Sequence, residues 1–148
     1  VQLLVDGASH PDRTVAGGAV TLDRSATVVQ AGLPYDHLSE LQTLNIEAAA
    51  ADGTAQGKTK RITNCTIRFY RSLGARVGPD TTQLDPLPDL MFRDASTPMG
   101  MRTPLFSGDS FMPWPGGYET AGRITLVPVG PFPCTVTAIF PQLRTQDR

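Results

Sequence analysis

Lysine, cysteine and histidine are all nearly missing from this sequence. Lys58 and Lys60 are the only lysines, against eleven arginines. Arginine makes planar, bidentate contacts and is enriched at interfaces where lysine is depleted, so the bias points mildly to protein–protein contact. The cysteines are Cys65 and Cys134, and the histidines are His10 and His37. A zinc site needs about four closely spaced ligands, and the sequence has no such cluster, so no metal or cofactor is expected. Each cysteine lies in a strand-like run of apolar neighbours and reads as a reduced core residue. Sequence alone does not pair them in a disulfide. His10 precedes Pro11 in a turn and His37 lies in a polar loop, so both read as surface residues. Asn64-Cys65-Thr66 matches a glycosylation pattern but falls mid-strand and carries little weight.

A basic excess is missing as well. Thirteen basic and fourteen acidic residues leave a net charge of −1. Nucleic-acid binders gain affinity by neutralising phosphates, and this chain shows no surplus for that work. No apolar run reaches the length of a membrane-spanning helix, so no membrane segment is expected. There is no signal-peptide pattern. The chain opens at Val1, directly in a strand-like run, and is expected to be an interior or carboxy-terminal piece of a longer polypeptide.

Glycine and proline are plentiful, with 14 and 13 residues in a chain of 148. Val, Ile, Phe, Tyr and Thr come in short runs between them. This pattern predicts an all-β fold, an antiparallel β-sandwich or barrel-like domain with long Pro/Gly-rich loops. Residues 1–31 are expected to be a short strand segment ending an upstream β domain. Residues 32–148 are expected to form the sandwich-like domain.

Strands are predicted over Val1–Val5, Ala19–Leu22, Thr27–Ala31 and Leu41–Glu47, with a turn-rich Ala8–Arg13. Ala48–Ala51 could form one helical turn before Asp52-Gly53, too short to stand alone. Lys60–Ser72 is the clearest strand. Its alternation places Thr63, Cys65, Ile67 and Phe69 on one face, and Asn64, Thr66, Arg68 and Tyr70 on the other. Arg76-Val77 reads as a short continuation. Asp80–Asp109 carries four prolines, with Pro79 just before it, and reads as a long ordered loop with one or two edge strands. Pro113–Gly117 reads as a rigid turn presenting Trp114. Arg123–Val129 and Thr135–Phe140 are the final strands, the first with Ile124 and Leu126 on one face and the second a candidate for burial on both. The Gly130–Pro133 link is short enough for a hairpin.

Catalytic patterns are poor. Gly53-Thr54-Ala55-Gln56-Gly57-Lys58-Thr59 has three residues between its glycines, whereas a phosphate-binding loop needs four, and a strand rather than a helix follows. Ser72, Ser107 and Ser110 lack a nucleophile elbow and a placed histidine. Asp85 with Asp89, or Asp109 with Glu119, could imitate a glycosidase pair, but turn and capping roles explain aspartates in such loops better. Trp114, Tyr118, Phe111 and Met112 cluster at a Pro-Gly turn. Exposed, they would form a sugar-stacking or protein-docking platform; buried, a minor core.

One ordered series of motifs runs through most of the chain. Leu4-Val5-Asp6-Gly7 and Gly18-Ala19-Val20-Thr21-Leu22 precede Gly32-Leu33-Pro34-Tyr35 and a Leu-rich strand ending in Glu47. Ala51-Asp52-Gly53-Thr54-Ala55-Gln56-Gly57-Lys58, Lys60-Arg61-Ile62 and the Arg68 strand follow. Pro104-Leu105-Phe106-Ser107-Gly108-Asp109, Pro115-Gly116-Gly117-Tyr118 and Thr135–Pro141 close the series. The order resembles the carboxy-terminal region of the tail nozzle, or hub, proteins of short-tailed bacteriophages, also called tail tubular protein B or DNA-stabilisation proteins. The resemblance implies a non-enzymatic virion protein assembled in the host bacterial cytoplasm. It implies a ring, typically a hexamer, below the portal and adaptor, with fibres as further partners. Genomic DNA would pass through the ring without sequence-specific binding. Arg61, Arg68, Arg71, Arg102, Trp114 and Tyr118 are the candidate subunit or partner contacts. The Pro-rich loop and the Gly53–Lys60 loop are expected to touch neighbours, the former being dispensable to the isolated fold. The competing reading is a β-sandwich module that recognises host-surface glycan through Trp114, Tyr118 and nearby carboxylates.

Overall fold

The computed structural model describes residues 1–33, 42–45, 49–50, 53–55, 57–90, 95–98 and 101–146. Its strands are β1 (Gln2–Val5), β2 (Ala8–His10), β3 (Val29–Gly32), β4 (Gln42–Asn45), β5 (Ala49–Ala50) and β6 (Gly53–Thr54). They continue with β7 (Thr59–Ser72), β8 (Ala75–Gly78), β9 (Asp85–Pro86), β10 (Phe106–Pro113), β11 (Arg123–Pro128) and β12 (Val136–Gln146). The one helical element among the described residues is a 3-10 turn, Pro88–Leu90. The fold is all-β and sandwich-like, and its strand pairs are antiparallel. No described helix is long and apolar enough to cross a membrane.

Two sheets face each other across the main core. One has the order β10-β7-β12, the other β4-β11-β8-β9. β7 supplies Ile62, Cys65, Ile67 and Phe69, and β10 supplies Met112. The opposite sheet supplies Ala75, Val77, Ile124 and Leu126. Burying one such side chain contributes roughly 1.5–3 kcal/mol, so this shared cluster dominates the packing.

The sequence pattern of β7 slips at one point. Gln142 pairs with Asn64, but the next β12 residue, Leu143, pairs with Ile62. Thr63 is therefore the extra residue of a bulge, and the inward series runs Ile62, Cys65, Ile67, Phe69 rather than through Thr63. A second irregularity lies at the other end, where Arg71 takes a left-handed φ of 46°. Its N–H donates to Ser107 Oγ at 2.8 Å. The buried Ser72 hydroxyl donates to the carbonyl of Tyr70 or Thr135 and accepts from Thr135 N–H. Gly74, at φ 69°, then turns the chain into the opposite sheet.

Several expectations need correction. Ala19–Leu22 forms no strand; Gly17-Gly18 makes a tight turn closed only by the Ala16–Ala19 bridge. Ala8–His10 is a strand, and His10 is buried rather than on the surface. Ala49–Ala50 is extended and pairs with β6 instead of coiling. β11 is buried on both faces because it lies inside its sheet, and β12, an outer strand, is only partly buried. The Gly130–Pro133 link joins different sheets, so β11 and β12 make no hairpin.

The Pro-rich stretch is also part of the core. β9 pairs with β8, as an edge strand should, but Leu87 and Leu90 are fully buried against the main cluster. The stretch also runs into the first half of β10. That strand is hard to see in sequence because its inward positions are Gly108, Ser110 and Met112, and Phe111 points out. Gly78 is required where this stretch crosses β8: a Cβ there would meet Gln83 O at 1.6 Å. In the Gly53–Lys60 segment, Ala55 and Lys60 are buried and only part stays open. His37 and the Pro34-Tyr35 motif lie outside the described residues.

Residues 2–32 form a separate sheet of order β2-β1-β3. Leu3, Val5 and His10 are its buried side chains, and all four β3 residues are exposed. Polar clips do much of the remaining work. Asp6 Oδ1 accepts from Thr27 N–H at 3.0 Å and Val28 N–H at 2.8 Å. Arg24 donates to Val5 O at 2.9 Å. Asp23 N–H donates to His10 Nε2, and the Asp23 carboxylate pairs with Arg13.

Candidate interaction face

The outer face of the β10-β7-β12 sheet sets exposed aromatic rings among charged and amide side chains. Strand register sets them in rows. Asp109, Arg68 and Ala138 share one row; Phe111, Thr66 and Phe140 the next; Pro113, Asn64 and Gln142 the third. Arg61 and Arg144 oppose each other beyond the Thr63 bulge. Phe111 is 59% exposed, Phe140 48% and Tyr70 57%.

Arg68 and Asp109 anchor the first row. They are 41 residues apart in the chain, and pairing of β7 with β10 brings them side by side. Arg68 Nε donates to Asp109 Oδ1 at 2.6 Å and Nη2 donates to Oδ2 at 2.8 Å. This planar fork fixes the guanidinium, which lies 5.5 Å from the centre of the Phe140 ring. The two hydrogen bonds hold the Asp109 carboxyl below its ordinary pKa and raise that of Arg68. In the third row, Asn64 donates to Gln142 Oε1 at 3.0 Å. At the far end, Arg61 lies 5.8 Å from the Tyr118 ring centre.

The expected contact residues therefore divide. Arg61, Arg68 and Tyr118 gather on this face, and exposed Arg71 lies at its bulged end. Arg102 lies elsewhere. It crosses Gly7 and lines a cleft of about 600 Å³ with Leu4, Asp6, Val28 and Leu105. Trp114 must be withdrawn as a contact: it is only 7% exposed and belongs to the main core. The aromatic cluster at the Pro-Gly turn, open to exposure or burial from sequence, splits the same way. Met112 and Trp114 point in, while Phe111 and Tyr118 point out. Phe140, Gln142 and Arg144 belong to the face but were not singled out from sequence, whereas Tyr70 was placed beside Arg68 by the alternation of β7. Only the pairing of distant strands places them together.

Most of the other chemical candidates have structural occupations. Ser110 Oγ, buried, donates to Asp89 Oδ2 at 2.7 Å. Glu119 Oε1 accepts from Arg123 N–H, and Asp80 Oδ1 accepts from Thr82 and Gln83 across its turn. Burial pushes the Cys65 thiol up to about 11 and raises that of Cys134, and both stay unpaired. A thiol so far from its thiolate is a poor nucleophile. No group of three or more His, Cys, Asp or Glu residues suited to a metal occurs among the described residues.

No known protein-family model matches the sequence, and no curated protein aligns with it significantly.

Proposed function

We propose that this chain is a non-enzymatic structural module that acts through protein contact, as a tail nozzle subunit of the short-tailed bacteriophages its sequence resembles. The carrying observation is the exposed outer sheet face, where Phe111, Phe140 and Tyr70 stand among arginines. Exposed aromatics and arginine on one rigid face are the composition of a protein interface core. Under this reading the chain sits in a homo-oligomeric ring, six copies by resemblance, contacting adaptor and fibre proteins. The near-neutral charge suits a wall along which DNA slides without strong phosphate attachment. The ring would be built in the bacterial cytoplasm and carried in the virion tail.

One observation supports contact over catalysis, and another supports it over glycan binding. Asp89, Asp109, Glu119, Ser107 and Ser110 are tied into turns and strand pairs. The glycan reading loses its principal stacking residue with the burial of Trp114.

Labelling with antibodies raised against this chain tests the proposal. Electron microscopy of purified particles should place the label on the tail. Label on the capsid shell, or particles that lack the chain altogether, would refute it.

A further inference from the structure

We infer that the Arg61–Arg144 end of the outer sheet face, continued through Gln142 to Phe140 and Phe111, binds an extended acidic protein segment lying along β12. The inference deepens the protein-contact reading and rests on it.

The first support is an unrelieved pair of cations. Arg61 and Arg144 are register partners on adjacent strands, and both are exposed. Like charges directly opposite each other destabilise a strand pair. Among the described residues neither guanidinium has an acidic partner; Arg61 is met only by the Tyr118 ring. A carboxylate set between them would relieve the repulsion and gain charge-assisted hydrogen bonds.

The second support is charge distribution. The face carries Arg61, Arg68 and Arg144 against Asp109, a surplus of two positive charges on a chain whose total is −1. Its complement is an acidic surface. A nucleic-acid strand fits less well, because Asp109 stands in the path a phosphate backbone would take beyond the aromatic row.

The third support is spacing. Arg144, Gln142 and Phe140 alternate on one side of β12. Arg144 and Phe140 are four residues apart, roughly 13 Å of extended chain. An extended ligand with the same period would set its first, third and fifth side chains over three subsites. The first is the arginine pair, which takes a carboxylate. The second is the Asn64–Gln142 amide pair, which takes a hydroxyl or amide. The third is the Phe111–Phe140 row, which takes an aliphatic group. The recognised pattern is therefore Glu-x-Thr-x-Leu or a close equivalent.

The test is an amide NMR titration of the full chain with the peptide acetyl-Glu-Ser-Thr-Ser-Leu-amide. Shifts are expected at Arg61, Asn64, Thr66, Phe140, Gln142 and Arg144. A peptide with lysine in place of glutamate should leave them unmoved. The Arg61→Gln/Arg144→Gln double variant should bind about tenfold more weakly, a loss of about 1.4 kcal/mol. Unchanged emission from buried Trp114 would certify its fold. Arg144→Gln alone should show an intermediate loss. No shift with the acidic peptide, equal shifts with the lysine peptide, or wild-type binding by the double variant overturns the inference. Stronger shifts of the same residues by a short oligothymidylate also overturn it and make the face a nucleic-acid platform. Tail labelling with a negative titration removes this partner and leaves the protein-contact reading standing. Peptide binding without any label on particles keeps this partner and removes the tail-nozzle assignment.

Discussion

The sandwich and the first sheet are held together by different physics. In the sandwich, Phe69, Ile67, Val77, Leu87, Leu90 and Ile124 share one dry core, and surrounding hydrogen bonds finish the job. In the sheet of residues 2–32, Leu3 and Val5 are nearly the whole apolar interior, and Asp6, Arg24, His10 and Asp23 hold the rest by polar contacts. Hydrophobic burial is cooperative and hard to open piecemeal. Polar clips near the surface open locally, at low free energy, before anything else does. The difference teaches that the chain should respond to perturbation as two regions.

The harshest way to break the comparison is to delete Thr81–Leu90. A dispensable docking loop would leave the sandwich folded. Leu87 and Leu90 are instead fully buried, and two such losses at about 2–5 kcal/mol each rival the whole stability of a small domain. The deletion should abolish the cooperative unfolding transition seen by circular dichroism. A transition kept near its original midpoint would contradict the assignment of these leucines to the core.

Next in size is Phe69→Ala. The void it leaves should lower sandwich stability by about 3–5 kcal/mol in urea unfolding followed by Trp114 emission. Hydrogen exchange in β1 and β3 should change little. If their protection collapses in parallel, the two regions are one cooperative unit.

Asp6→Ala probes the other side. It removes the acceptor shared by Thr27 and Val28 N–H. A loss of about 1–2 kcal/mol is expected in local opening of β3, with the sandwich midpoint unmoved. Hydrogen exchange read residue by residue would distinguish this from a global effect.

Acid gives the smallest effect, and it belongs to the sandwich. Asp109 is held below its ordinary pKa by hydrogen bonds from Arg68, and Asp80 by those from Thr82 and Gln83. A carboxylate with a depressed folded-state pKa contributes stability that is fully present above its unfolded value. That contribution is lost as pH falls through the depressed value. Urea midpoints measured from about pH 6 down to about pH 2 should therefore fall, and fall less in Asp109→Asn. An equal fall in the variant would place the acid sensitivity elsewhere.

These regions were unequally legible in the sequence. β7 was plain because alternation persists over ten residues and more, yet its face shifted at Thr63. A bulge adds a residue without leaving a mark in composition. β10 was obscure because glycine and serine occupy its inward positions and phenylalanine its outward one, which inverts the usual signal. β12 was cut short at Pro141, although an outer strand tolerates proline. The candidate face was half visible. Arg61, Arg68 and Tyr118 could be named individually, but their company of Phe140, Gln142 and Arg144 arises from register between strands more than seventy residues apart. Trp114 shows the same limit: a Pro-Gly turn carries no information on which way its aromatic points.

The prolines of the outer strands carry one more consequence. Pro113 lies in β10, Pro141 in β12 and Pro86 in β9, three of the four strands that border the two main sheets. Each lacks the N–H that a newcomer would need to extend the ladder. Copies crowded together at high local concentration are thus discouraged from zipping edge to edge into fibrils. Any contact between copies is then left to side chains on the faces rather than to the strand edges.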